Sequence, residues 1–74
     1  AAEKDIERLT AVYEAMKPKD ASDLFTTMDA EFAAGFLGRM RPDAAAAVMA
    51  GMPAPNAYAV SLLLARRNAL VPTG

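Results

Sequence analysis

Apolar residues recur along this chain with a period of twelve, most clearly in four of its five methionines: Met16, Met28, Met40 and Met52. Leu64 closes that column. Three further columns keep the same period: Leu9, Ala21, Ala33, Ala45 and Ala57; Val12, Leu24, Phe36, Val48 and Val60; and Tyr13, Phe25, Leu37, Met49 and Ser61. Within each unit the columns lie at i, i+3, i+4 and i+7, which is the spacing of one face of an α-helix. The pattern predicts five short amphipathic helices in tandem, with the methionines in the core.

The helix boundaries are marked by residues that favour starts and stops. We predict the first helix over Glu3–Met16, and Pro18 should begin the second, because proline is tolerated in a first helical turn. Asp29 is a good N-cap for the third helix, and the last should run from Pro53 to Arg67 or Asn68. The core-facing seam expected on the first helix contains Ile6, Leu9, Tyr13 and Met16.

The predicted fold is all-α, a right-handed superhelix of about five short helices. Middle helices of roughly nine residues are marginal alone, so each should pack against the helices before and after it. We assign residues 1–16 to an N-terminal helix that ends an upstream coiled coil or stands alone, 17–69 to the superhelical domain and 70–74 to a tail. Since the chain begins with Ala1 and not Met, we interpret it as a fragment or a processed protein, with any export signal or anchor outside it.

Composition argues against several classes of function. The 74 residues carry a net charge of −1, which gives no basic surface for nucleic acid or an anionic membrane, and no apolar run is long enough to span a bilayer. Histidine and cysteine are absent, and no nucleophile–base set or glycine-rich phosphate loop is present. We therefore predict a non-enzymatic protein without catalytic residues, cofactor or metal.

The last predicted helix has more apolar residues than its core columns require. Tyr58, Leu62 and Leu63 lie outside those columns, whereas a terminal repeat normally has a polar outer face. We hypothesise that these three side chains form a surface for self-association or for a client protein. The alternative is that Leu70 and Val71 of the tail fold back and cover the helix.

Phe32 is a second exception to the repeat, because the equivalent positions hold Asp20, Ala44 and Asn56. Either the ring packs at the start of the third helix or it is exposed. We predict packing, since phenylalanine is one of the residues most often buried.

Residues 16–21, 28–33 and 40–45 share the pattern Met-x-(Pro/Ala)-x-x-Ala, and Tyr13–Pro18 reads Tyr-x-x-Met-Lys-Pro. These motifs resemble the N-terminal intracellular domain of the MgtE magnesium transporters and, more closely, the C-terminal domain of the MotE family of flagellar motility proteins. The resemblance spans roughly residues 9–68 and departs from the family at Pro53 and Ser61. It implies a periplasmic chaperone domain that stabilises a periplasmic flagellar motility protein.

The resemblance to MgtE implies an alternative function, a cytoplasmic Mg²⁺-sensing regulatory domain. In that family, acidic residues of the superhelix help to bind Mg²⁺ against another domain. The carboxylates of this chain are instead scattered among lysines and arginines, whereas a tight Mg²⁺ or Ca²⁺ site gathers several oxygens around one point. We therefore favour the interaction module, with self-association through the N-terminal or last helix as a further expectation.

Overall fold

Five α-helices make up the part of the chain that the computed structural model describes, which is residues 2–70, with side chains to residue 67. They are α1 (Ala2–Ala15), α2 (Pro18–Thr27), α3 (Ala30–Leu37), α4 (Pro42–Ala50) and α5 (Ala54–Leu70). Residues 2–70 contain no strand. The predicted all-α class and the number of helices are confirmed.

Helices α2 and α3 begin where the sequence predicts, and α1 and α5 begin within one residue of the predicted starts, at Ala2 and Ala54. Pro18 and Pro42 occupy the first positions of α2 and α4, where the missing amide hydrogen costs no intrahelical bond. Asp29 caps α3, and its carboxylate accepts a hydrogen bond from the Glu31 amide at 3.2 Å. Linkers of two to four residues connect the helices.

The repeat positions of α2 to α5 supply most of the core. The buried apolar residues are Ala21, Phe25, Ala33, Ala34, Phe36, Leu37, Met40, Val48, Met52 and Val60. Met16 and Met28 are partly buried and pack against this cluster. The prediction that the periodic methionines belong to the core is confirmed fully for Met40 and Met52 and partly for the other two.

Three of the four residues in the predicted seam of α1, Ile6, Tyr13 and Met16, pack against the core, and the prediction is wrong only for Leu9. Leu9 is 37% exposed, whereas its neighbour Thr10 is only 6% exposed. The ring of Tyr13 determines how α1 is turned about its own axis, because it packs edge-on against both Phe25 and Phe36, with centroids 5.1 Å apart in each pair. Thr10 then faces inward, and its hydroxyl donates to the carbonyl oxygen of Ile6 at 2.7 Å, so this buried hydroxyl has a hydrogen-bond partner.

Three further column residues are also exposed: Val12 of α1, Leu24 of α2 and Ser61 of α5. Val12 follows from the rotation of α1, which turns the Leu9 and Val12 side of the helix away from the core. Nothing in the structure explains the exposure of Leu24.

Alternate helices make the closest backbone contacts, α2 with α4 and α3 with α5. The repeat instead predicted packing between consecutive helices. Small residues account for the difference, since a Cβ built at Gly51 would lie 2.5 Å from Ser22 Oγ, and one built at Gly38 would lie 3.1 Å from a methyl carbon of Leu64. Glycine therefore lets α4 approach α2 and lets α3 approach α5.

Candidate functional site

Several large apolar side chains are exposed among the described residues: Leu9, Val12, Leu24, Phe32, Tyr58 and Leu62. Four of them fall in two places that differ in shape and charge. Tyr58 and Leu62 lie on the outer side of α5, whereas Leu9 and Phe32 line a groove between α1 and α3. Each place is a candidate for binding another protein.

The outer side of α5 is a stripe without charge. Tyr58 is 65% exposed and Leu62, one turn later, is 52% exposed. At 100° per residue the same side carries three small residues, and all are exposed: Ala54, Ser61 and Ala65. The Ser61 hydroxyl donates to the carbonyl oxygen of Ala57 at 2.8 Å, so it adds little polarity to the surface. We call Ala54, Tyr58, Ser61, Leu62 and Ala65 the α5 face.

Leu63 does not belong to the α5 face, although the sequence grouped it with Tyr58 and Leu62. It is partly buried, packs against the core, and lies beside Glu31, Arg66 and Arg67. Its direction follows from helix geometry, because adjacent residues differ by 100°. The structure thus brings together two of the three hypothesised contact residues. Leu70 and Val71, the proposed cover for this helix, lie outside the residues whose side chains are described.

A groove of about 370 Å³ runs between α1 and α3 and reaches the end of α5. Its apolar lining comes from Ile6, Leu9, Phe32 and Phe36, with Gly35 opening the α3 side. Its charged lining is Glu31, Arg39 and Arg67. We call this cavity the α1–α3 groove.

Phe32 is the most exposed apolar side chain of the groove, so the prediction that it packs is wrong. The side chain is 55% exposed, and one edge rests on Phe36, with centroids 5.1 Å apart and planes at 70°. Phe36, one turn later on the same helix, already fills the inward position. Phe32 is left covering the rim of the groove, where one side of its ring meets solvent.

Arg39 and Arg67 differ from Arg41 in their partners. Arg41 pairs with Glu14 at 3.4 Å and with Asp43 at 3.5 Å, and its amide donates to Glu14 at 2.8 Å. Among residues 2–67, neither Arg39 nor Arg67 has a carboxylate oxygen within 4.0 Å. Both guanidinium groups therefore have donors available on the groove side.

The repeat did not reveal the groove, because its walls come from separate units. One local signal was nevertheless present in the sequence. Phe32, Phe36 and Arg39 are spaced i, i+4 and i+7, which places two aromatic rings and a cation on one side of α3. Read together, those positions would have indicated an apolar surface that ends in a positive charge.

Within residues 2–70 the structure groups no three histidine, cysteine or acidic side chains into a potential metal site. The buried hydroxyls of Thr10 and Ser22 are both used in hydrogen bonds to backbone carbonyl groups. No helix in the described part of the chain has the length and hydropathy needed to span a membrane.

Comparison with family models, with curated proteins and with solved structures finds no match for this chain. The resemblance to MotE and MgtE therefore depends only on the repeat motif and on the Tyr13–Pro18 segment.

Proposed function

We propose that this chain is a non-enzymatic protein-interaction module of the MotE type. By that resemblance it acts in the periplasm as a chaperone domain that stabilises a flagellar motility protein. Its short helices are proposed to stack as a right-handed superhelix, which presents the last helix at one end of the domain.

The α5 face is the observation that supports this proposal. Charged residues make up 23% of the chain, yet the α5 face has none. The outer side of a surface helix in a small domain is normally polar, so an apolar stripe there is typical of a contact surface. Tyr58 and Leu62 supply its two large side chains.

The proposed mechanism is docking of an apolar client surface on this stripe. Burying Tyr58 and Leu62 releases water from the Tyr58 ring and the Leu62 methyl groups. A few such anchors carry most of the affinity of an interface. The Tyr58 hydroxyl gives the contact a directional hydrogen bond at its edge. The small residues of the α5 face allow a client helix to approach closely.

Substitution of Leu62 tests the proposal. Leu62→Glu should weaken binding of the purified periplasmic motility protein by at least about tenfold, because a carboxylate would be buried without a partner. Val12→Glu is the matched control, since Val12 is 50% exposed but lies on α1. Isothermal titration calorimetry measures binding, and circular dichroism checks that each variant is folded.

Sedimentation of the same two variants distinguishes the helices that were expected to mediate self-association. A fall in solution mass for Leu62→Glu assigns the contact to α5, and a fall for Val12→Glu assigns it to the N-terminal helix. Unchanged client binding by folded Leu62→Glu would contradict the proposal.

A magnesium titration addresses the MgtE alternative. An ion present at roughly ten times its Kd stabilises a folded domain of this size by about 1.4 kcal/mol, or about 5 to 10 °C in Tm. We expect no such shift with 10 mM MgCl₂, that is, about ten times a millimolar Kd. A shift of that size would favour a Mg²⁺-sensing domain instead.

A further inference from the structure

We propose that the α1–α3 groove binds a segment of a partner protein in which a large apolar side chain lies next to carboxylates. This site is separate from the α5 face, because helix geometry directs Arg67 to the opposite side of α5 from Tyr58 and Leu62. The proposal therefore stands whether or not the α5 face binds a client.

The apolar part of the groove provides the anchor site. Ile6 and Leu9 of α1 face Phe32 and Phe36 of α3 across a space of about 370 Å³. That space accommodates one or two large side chains and is open to solvent. The half-exposed ring of Phe32 would be covered by an inserted leucine or phenylalanine.

The charge of the groove favours a partner segment that carries carboxylates beside its apolar side chain. Two arginines and one glutamate line it, so its local charge is positive although the whole chain has a net charge of −1. Arg67 is close to α3, since a Cβ built at Gly35 would lie 3.5 Å from its Nη2 atom. Arg39 lines the same groove from the linker between α3 and α4. A carboxylate placed between these cations gains charge-assisted hydrogen bonds.

The acidic groups nearest Arg39 line a neighbouring cavity and not the groove itself. Glu7 and Glu14 border Arg39 on the other side of α1, in a separate cavity, and Glu14 is already paired with Arg41. Glu31 lies at the α5 end, where Arg66 adds a third cation. The groove lining itself thus presents two arginines, Arg39 and Arg67, and one carboxylate, Glu31, to an incoming acidic segment, and Arg66 lies just outside it.

The test titrates the ¹⁵N-labelled chain with two blocked peptides while amide chemical shifts are recorded. The first peptide is acetyl-Leu-Phe-Glu-Glu-amide, and the second is its neutral counterpart acetyl-Leu-Phe-Gln-Gln-amide. The largest shifts should occur at the amides of Phe32, Gly35 and Arg39. The neutral peptide should bind roughly fivefold more weakly, as expected for partly solvated ion pairs.

Two pairs of variants separate the charge from the apolar anchor. Arg39→Gln combined with Arg67→Gln should remove the difference between the peptides, whereas Arg66→Gln, adjacent to Arg67 but outside the groove lining, should keep it. Phe32→Ala should weaken both peptides about tenfold. Leu62→Ala, matched in exposure but on the α5 face, should leave both unchanged.

Several outcomes would overturn the proposal. One is equal affinity of the two peptides for the native chain, and another is a shift pattern centred on Tyr58 and Leu62. If the chemical shifts of the groove amides change when the chain is diluted without peptide, the groove binds a second copy of the chain. Groove amides that shift in the Leu70→Ser, Val71→Ser double variant would assign it to the chain's own end. The Leu62 variants report on the α5 face alone. If they do not weaken client binding, the peptide titration of the groove is unaffected.

Discussion

The Ser22 hydroxyl of α2 lies within hydrogen-bonding distance of the carbonyl oxygen of Val48 in α4, 26 residues along the chain. That carbonyl lies in the last turn of α4, where carbonyl groups have no intrahelical donor four residues later, and the Gly51 amide also donates to it at 3.1 Å. The end of α4 is therefore satisfied by a side chain from another helix. The α2–α4 contact joins two repeats that are not consecutive.

The α2–α4 contact predicts that Gly51→Ala destabilises the fold. The added Cβ would lie 2.5 Å from Ser22 Oγ and 2.9 Å from its Cβ, so the helices must separate. Overpacking of this kind costs about 1 to 3 kcal/mol. Urea unfolding followed at 222 nm measures the loss, and an unchanged midpoint would show that α2 and α4 do not pack this closely.

Gly35→Ala provides the matched opposite case. Among the side chains that the structure describes, a Cβ at Gly35 would meet only the Arg67 guanidinium, at an ordinary contact distance of 3.5 Å. Because Gly35 lies inside α3, alanine should stabilise the domain by about 0.5 to 1 kcal/mol through its higher helix propensity. The same urea experiment should therefore move the midpoint upward, and a downward move would contradict the space assigned to this position.

Removing the Ser22 hydroxyl tests the hydrogen bond itself. Ser22→Ala should cost about 1 kcal/mol, because Ser22 is buried and its single hydroxyl proton is shared between the carbonyl oxygens of Val48 and Pro18. Ser61→Ala is the control, since that hydroxyl is exposed and bonds only within its own helix. The Ser61 variant should stay within about 0.5 kcal/mol of the native chain. Equal effects of the two substitutions would remove the cross-helix role.

The number of helices and their starts were predictable from sequence because they depend on local signals. Proline at 18 and 42 and the Asp29 cap act within one turn, and the twelve-residue period supplies the apolar face. The rotation of α1 was not predictable in this way. Leu9 and Thr10 both fit a helical spacing with Tyr13, and the choice depends on how the Tyr13 ring fits between rings from two other helices.

The candidate sites likewise combine features that the sequence predicts with features that depend on how the helices pack. Tyr58 and Leu62 are four residues apart, so their shared side follows from the sequence, whereas Leu63 is turned 100° from Leu62 and packs against the core. The groove combines Ile6 of α1 with Phe32 of α3. No repeat relates these two positions, so their proximity appears only once the helices are packed.

The rotation of α1 predicts unequal effects at adjacent positions. Leu9→Gln should change the free energy of unfolding by no more than about 1 kcal/mol, since the side chain already meets solvent. Thr10→Gln should cost about 2 to 3 kcal/mol, because a longer amide must fit a buried site. Thermal denaturation of the two variants compares them. A larger loss of unfolding free energy for Leu9→Gln than for Thr10→Gln would instead support the core position that the sequence predicted for Leu9.

The attachment of α1 to the other helices depends on few contacts, and Tyr13 is central to them. Its ring meets Phe25 of α2 and Phe36 of α3 edge-on, and Glu14 adds the ion pair with Arg41. Tyr13→Ala removes both aromatic contacts and should cost about 3 kcal/mol. Because α1 has little close backbone contact with the other helices, the loss should fall mainly on α1.

Hydrogen exchange distinguishes local from global loss in the Tyr13→Ala variant. The α1 amides should exchange at least about tenfold faster, while those of α3 and α5 change much less, because the α3–α5 contact does not involve Tyr13. Val12→Ala is the adjacent control and should leave exchange in α1 nearly unchanged, since Val12 is half exposed. Uniform acceleration across all five helices would mean that α1 unfolds only together with the rest of the domain.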